Sequence, residues 1–176
     1  INERLAYRVV GLARQKDGQA VTSEEERYVF APSLDWQLSD RTLLNLNLYY
    51  QKDPQAGIYT TVPASGSVKS NPLWQLGSDT FLGDENWNEY NRDVTLLGYK
   101  LSHDFNGNWQ VLQNARYMDA SAYQRNTYNA ALAADNRTLA RNAYLTDEAS
   151  KGFVIDNQLA GKVQTGGAQH NLLLGV

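Results

Sequence analysis

The residues best suited to chemistry in this 176-residue chain are aromatic rather than nucleophilic. Trp74, Phe81, Trp87 and Tyr90 fall within one long polar stretch. Rigid aromatic faces give apolar contact at low entropic cost, and Tyr hydroxyls add directed donors, so such a stretch suits a small-molecule binding surface. Large loops also bury aromatics against one another, which is the plainer use of the same residues. Glu24-Glu25-Glu26 could attract cations, but a solvated loop edge explains it more simply. Asp84-Glu85 lacks the patterned oxygen ligands of a calcium loop. His103 and His170 sit beside short turns with no partner at metal-ligand spacing, so no metal site is expected. Asn136-Arg137-Thr138 matches a glycosylation sequon. There is no phosphate-binding Gly-rich loop, nucleophile elbow or His-Glu-x-x-His, so no catalytic residue is assigned and the chain does not read as an enzyme. A net charge of −3 gives no electrostatic case for nucleic acid, and the absence of cysteine excludes disulfides and thiolate sites.

The elements that must position these residues are strands. Between Arg27 and Leu38 the residues Tyr28, Phe30, Pro32, Leu34, Trp36 and Leu38 alternate with Val29, Ala31, Ser33, Asp35 and Gln37. Leu44, Leu46, Leu48 and Tyr50 alternate in the same way with Asn45, Asn47, Tyr49 and Gln51. A period of two is the pleat of a strand, and a helix would need apolar residues three and four apart. Further strands are expected at Leu5–Arg14, Arg92–Asp104, Trp109–Asp119, Gly152–Gln164 and Gln169–Val176. Short turns at Ser39-Asp40-Arg41, around Asn106-Gly107 and at Gly166-Gly167 alternate with long connections at Gln15–Glu26, Lys52–Asn91 and Ala120–Lys151. Within the last connection, Asn129–Asn142 suits either a short helix or a continuing strand.

Short turns at one end and long loops at the other are the mark of an outer-membrane β-barrel, with periplasmic turns and extracellular loops. Tyr28, Trp36, Tyr50, Tyr99, Trp109 and Tyr117 lie near strand ends on the apolar face, where interfacial aromatic girdles belong. The opposite face carries Asp35, Lys100, Arg116, Asp156 and Lys162, expected to face a lumen. Mean hydropathy of −0.54 does not contradict this, because only alternate residues meet lipid. Seven strands do not close a barrel, since single-chain barrels of this kind have an even number, at least about eight. Two expectations stand: an all-β, antiparallel up-and-down segment of a larger transmembrane barrel, or a soluble all-β binding module. A porin-like channel is a further alternative within the membrane reading.

Five ordered stretches carry a family resemblance: GLAR at Gly11–Arg14, EEERYVFAPSLDW at Glu24–Trp36, LNLYYQKDPQAGIYTTVP at Leu46–Pro63, GYKLSHDFNGNWQVLQNARY at Gly98–Tyr117 and VIDNQLAGKVQTGGAQHNLLLGV at Val154–Val176. Together they resemble the early barrel strands of TonB-dependent siderophore receptors of the ferrichrome/hydroxamate type. The resemblance implies a transporter barrel of roughly 22 strands closed by an N-terminal plug. Residues 1–176 are then a partial barrel domain, with the plug, the TonB-engaging segment and the later strands outside this sequence. It further implies ferric siderophore uptake in the bacterial outer membrane, with the siderophore, the plug, TonB and outer-membrane lipid or lipopolysaccharide as partners. No cofactor held by protein ligands is implied; the ferric siderophore is cargo. Tyr59 matches a ligand-contacting aromatic of the family, whereas Thr61 stands where a tryptophan is expected. Tyr128 falls near another contact position, next to Ala130, which lacks the expected ring. Tyr59, Thr61, Tyr128, Trp74 and Trp87 are therefore the candidate ligand-binding residues.

Overall fold

A computed structural model describes residues 3–58 and 60–176. Seven strands form one antiparallel sheet in sequence order: β1 (Leu5–Asp17), β2 (Glu24–Ser39), β3 (Thr42–Ala56), β4 (Glu89–Asn106), β5 (Trp109–Leu132), β6 (Leu139–Thr165) and β7 (Ala168–Gly175). The three turns at one end are tight, with only Asp40-Arg41, Gly107-Asn108 and Gly166-Gly167 outside the strands. Gly166 takes φ 59°, the left-handed conformation that a two-residue hairpin turn demands.

Register turns the alternation of each strand into two continuous faces. Tyr7, Leu34, Leu46 and Tyr99 are successive partners across β1 to β4, and Leu97, Tyr117 and Phe153 continue the apolar face across β4 to β6. Nothing covers this face: Phe153 is 65% exposed, Leu97 57% and Phe30 49%. Only Ile58 and Ala115 are buried hydrophobics among the described residues, so the sheet has no interior core of its own. A soluble module would bury such a face against a second layer, whereas a barrel turns it to lipid.

The aromatic residues fall in two bands on that face. Tyr28, Tyr50, Tyr117 and Phe153 lie toward the long loops, and Trp36 and Trp109 lie toward the tight turns. Tyr28 and Trp36 are about 26 Å apart along β2 at ~3.3 Å per residue, comparable to the ~25 Å apolar band of such barrels. Trp109 lies directly opposite Gly161 and covers it: a Cβ there would meet Trp109 Cζ3 at 2.3 Å.

The structure decides one question that the sequence left open and revises one expectation. The stretch Asn129–Asn142 contains no helix; β5 continues to Leu132, turns through residues 133–138 and returns as β6. Consequently Ala120–Lys151 is not a loop but the upper part of a long hairpin. On its outward face Asp119 pairs with Lys151 at 3.0 Å, directly above Tyr117, where polar residues replace the apolar band. From there the hairpin continues about 40 Å along the strand beyond the aromatic band. Cross-strand hydrogen bonding satisfies the backbone through this extension, which single-residue propensities do not encode.

Candidate functional site

Among the described residues, the polar face holds the most heavily hydrogen-bonded carboxylate, Asp53. Alternation places Tyr49, Gln51 and Asp53 on one side of β3, and pairing brings Asp53 opposite Arg92 of β4 and beside Arg27 of β2. Arg27 donates from Nε to Asp53 Oδ1 at 2.7 Å and from Nη2 to Oδ2 at 3.1 Å. Arg92 donates to Oδ2 from Nη2 at 2.7 Å and from Nε at 3.0 Å, while Gln51 Nε2 donates at 2.8 Å. Tyr49 in turn donates to Gln51 Oε1 at 2.5 Å. Asp53 is 1% exposed, the largest fully buried side chain. This network was not anticipated from the sequence, although polar residues at every second position of Tyr49–Asp53 are the signal that would have found it.

Lower on the same face, Asn45 donates to Asp35 at 2.6 Å, and Asp156 accepts from Asn114 at 3.2 Å and Gln158 at 2.7 Å. Lys100 lies opposite Asn45 and Asn114, and Arg116 opposite Gly98 and Val154, bordering a recess of about 650 Å³. Lys162 continues the same face beside β7. Gly98 forms part of that wall because a Cβ would meet Asn47 Oδ1 at 2.9 Å and the Ala115 carbonyl at 3.1 Å.

Above the aromatic band, residues 57–88 are stitched to the tall hairpin. Trp74 Nε1 donates to the Asn136 carbonyl at 2.6 Å, and Trp87 Nε1 donates to the Tyr144 carbonyl at 3.1 Å. The Arg125 guanidinium sits 5.4 Å from the Trp87 ring centre and pairs with Glu89 at 3.0 Å. Arg141 donates to the Gly83 carbonyl at 2.6 Å, and Thr60 to the Thr127 carbonyl at 3.1 Å. Trp74 and Trp87 therefore tie the loop to the hairpin through their indole N–H groups.

The remaining candidates behave differently. Thr61 is held against β5 next to Tyr128 in sequence but not against its ring: Asn129 donates through its backbone to Thr61 Oγ1 at 3.2 Å and through its side chain to the Thr61 carbonyl. A cavity of about 400 Å³ lies there between Thr61–Ser65 and Asn129–Leu132. Pairing of β5 with β6 is unbroken up to Asn129, so Tyr128 stays on the face that carries Asn114 and Arg116 below. Its ring, 43% exposed, lies 6.0 Å from that of Tyr144 at an interplanar angle of 51°. Tyr59 lies outside the described residues. Tyr90 and the Glu24–Glu25 pair line clefts between the outer loops. The two histidines each meet a threonine on the neighbouring strand, His103 of β4 with Thr42 of β3 at 2.8 Å and His170 with Thr165 across the β6–β7 turn at 2.6 Å. Among the described residues no three His, Asp or Glu side chains converge on a metal position.

Curated relatives align along nearly the whole chain. It is 34% identical over 176 residues to a ferrioxamine B receptor of Salmonella typhimurium, covering 99% of this chain and 25% of the relative. Identity is 36% over 177 residues to a ferrioxamine receptor of Yersinia enterocolitica, covering 100% and 24%. A ferrichrome outer membrane transporter/phage receptor of Escherichia coli K12 is 33% identical over 189 residues, covering 97% and 25%. The chain thus spans about a quarter of the length of the curated relatives it matches. Among solved structures, the ferric-catecholate import receptor Fiu of E. coli K12 superposes with a TM-score of 0.85 at 19% identity, covering 99% of this chain and 27% of that one. The siderophore receptor PiuA of Acinetobacter baumannii gives 0.77 at 23% identity, covering 97% and 25%. No family model matches the chain. The uncovered apolar face, the aromatic bands, the tight turns at one end and these relationships agree: the chain is a stretch of outer-membrane β-barrel, similar along nearly its whole length to receptors named for ferrioxamine and ferrichrome.

Proposed function

We propose that this chain supplies barrel strands and outer loops of a receptor that takes up a ferric hydroxamate siderophore, energised through TonB. The observation that carries the reading is the chain-long identity of 33–36% to receptors named for ferrioxamine and ferrichrome. On this reading residues 1–176 are part of one barrel domain, completed by a plug and further strands. The plug meets the polar wall around Lys100, Arg116 and Asp156, and lipid or lipopolysaccharide meets the apolar face. The ferric siderophore is bound as cargo, and the protein itself holds no cofactor.

Tyr128, with Tyr144 beside it, offers the ligand an aromatic wall on the lumen side of the tall hairpin. Thr61, and Tyr59 by its place in the sequence, are proposed as further contacts, and Thr61 leaves room where the ferrichrome-type pattern would place an indole. Trp74 and Trp87 act on the ligand only by holding that loop in place. The test is a fluorescence titration of the detergent-solubilised receptor with ferrichrome and with ferrioxamine B. Saturable binding of at least one chelate, weakened about tenfold by Tyr128→Ala, is expected; a loss of that size is typical for one aromatic contact. Absence of binding by either chelate would sink the reading.

A further inference from the structure

We infer that the tight turn between β4 and β5 modifies itself: the Gly107 backbone nitrogen attacks the Asn106 side-chain amide, releases ammonia and leaves an acidic residue in the turn. The inference goes beyond the receptor reading and does not depend on it. The sequence offers two places for such a ring closure, Asp17-Gly18 and Asn106-Gly107, where glycine leaves the attacking nitrogen without a side chain beside it. The structure separates them. Gly18 is packed against Ser23, with its N–H spent on the Ser23 carbonyl at 2.6 Å. Gly107 N–H meets no acceptor among the described residues, and a Cβ on Gly107 would have nothing within 4 Å. Asn106, Gly107 and Asn108 are all exposed, so water and hydroxide reach the turn.

The Asn106 amide is held by its oxygen. Oδ1 accepts the backbone N–H groups of Asn108 at 2.9 Å and of Trp109 at 3.1 Å. Two amide donors on one carbonyl oxygen are the arrangement that stabilises a developing oxyanion. They also polarise Cγ, and the attacking nitrogen belongs to the next residue, so attack is intramolecular. Asn71 accepts the Leu73 N–H in a similar bond, but Pro72 follows it and carries no N–H. In the reaction Gly107 N gives its proton to hydroxide and bonds to Asn106 Cγ, and the carbonyl electron pair moves onto Oδ1 between the two donors. As that pair returns, the Cγ–Nδ2 bond breaks and ammonia departs with a proton from water. Water then opens the cyclic imide at either carbonyl, to aspartate or to isoaspartate. The net change is water consumed, ammonia released and a negative charge gained. Aspartate keeps both N–H bonds, now charge-assisted, so the hairpin survives the change.

The test is incubation of the solubilised receptor in mildly alkaline buffer, followed by peptide mass mapping and isoaspartyl methyltransferase labelling. Expected is conversion at Asn106 ahead of every other asparagine, and faster in the folded receptor than in the same chain unfolded in guanidinium chloride. Asn108→Pro deletes one of the two donors, whereas Asn108→Ala keeps it. The proline variant should convert about tenfold more slowly than the alanine variant, less than the ~100-fold of a water-excluded oxyanion hole because this turn is wet. An Asn106 that stays intact, or that converts faster once the chain is unfolded, would overturn the inference. Equal rates in the two variants would overturn it as well. The comparison of folded with unfolded chain needs no variant, so it decides the matter even where the proline disrupts the hairpin.

Discussion

Arg27 and Asp53 lock β2 to β3 where the sheet leaves its aromatic band, through a two-pronged pair at 2.7 and 3.1 Å. Arg92 closes the same carboxylate from β4 at 2.7 Å, so three strands share one buried charge. The two guanidinium groups are each about one-third exposed, at 30% and 36%, so water screens part of their attraction. The carboxylate is not screened in this way. Its removal strands two neighbouring cations, and it is the partner whose loss should cost most.

Asp53→Ala is therefore expected to lower barrel stability by about 2 kcal/mol, below the 3–5 typical of fully buried pairs because the arginines are partly wetted. Arg27→Gln alone should cost less, because Arg92 and Gln51 still satisfy the carboxylate. Denaturant midpoints of the receptor refolded in lipid vesicles measure both. Equal effects of the two variants would contradict the shared-charge arrangement.

The tip of the tall hairpin has a defined acid limit. Asp135 Oδ1 accepts the backbone N–H groups of Arg137 and Thr138 at 2.9 Å each, and Oδ2 accepts the Thr138 hydroxyl at 2.7 Å. These donors hold the carboxyl at about 2, below its ordinary 3.8, with the Thr138 backbone N–H the leading cause. A depressed folded-state value makes the stabilisation fully present above about 3.8 and lost as pH falls through about 2. Protection factors of the Arg137 and Thr138 amides, taken against the intrinsic exchange rate at each pH, should hold down to pH ~3 and fall below pH ~2. Asp135→Ala should leave both protection factors low and independent of pH.

Gly66 and Trp74 make a second local test. Gly66 has φ 85°, and a Cβ on it would lie 1.9 Å from Trp74 Cζ3. Gly66→Ala should expel the indole and break its bond to the Asn136 carbonyl, on top of roughly 1 kcal/mol of backbone strain. A red-shifted Trp74 emission and faster tryptic cleavage at Lys69 are the expected readouts. Gly107→Ala serves as the control, because nothing lies within 4 Å of a Cβ there.

The two faces should differ sharply in their tolerance of charge. Leu46 lies between the two aromatic bands on the apolar face, opposite Leu34 and Tyr99, and Leu96 lies on the polar face opposite Tyr49. Leu46→Arg should destabilise the folded barrel by about 2–4 kcal/mol in lipid, the cost measured for arginine at a bilayer midplane. Leu96→Arg should cost well under half of that. A reversed order would assign the faces wrongly.

What the sequence determined by itself was the periodic part of the molecule. Alternation at Arg27–Leu38 and Leu44–Gln51, the Gly-Gly and Asn-Gly turns and the aromatic positions are local consequences of the pleat and of turn sterics, and they specified seven strands and two faces. Register and long-range pairing lay beyond that local information. Residues 120–151 read as a loop because their alternation is weak, yet pairing of Ala120 with Ser150 through Leu132 with Leu139 makes them strand. Asp53 fell within the Lys52–Asn91 connection until pairing placed it between Arg27 and Arg92. Trp74 and Trp87 read as candidate ligand-binding rings, and only the fold shows their N–H groups bonded to the carbonyls of Asn136 and Tyr144. Side-chain direction follows from the chain's own period, but the partner a side chain meets lies 26 to 62 positions away in the contacts above, and only the folded sheet brings those residues together.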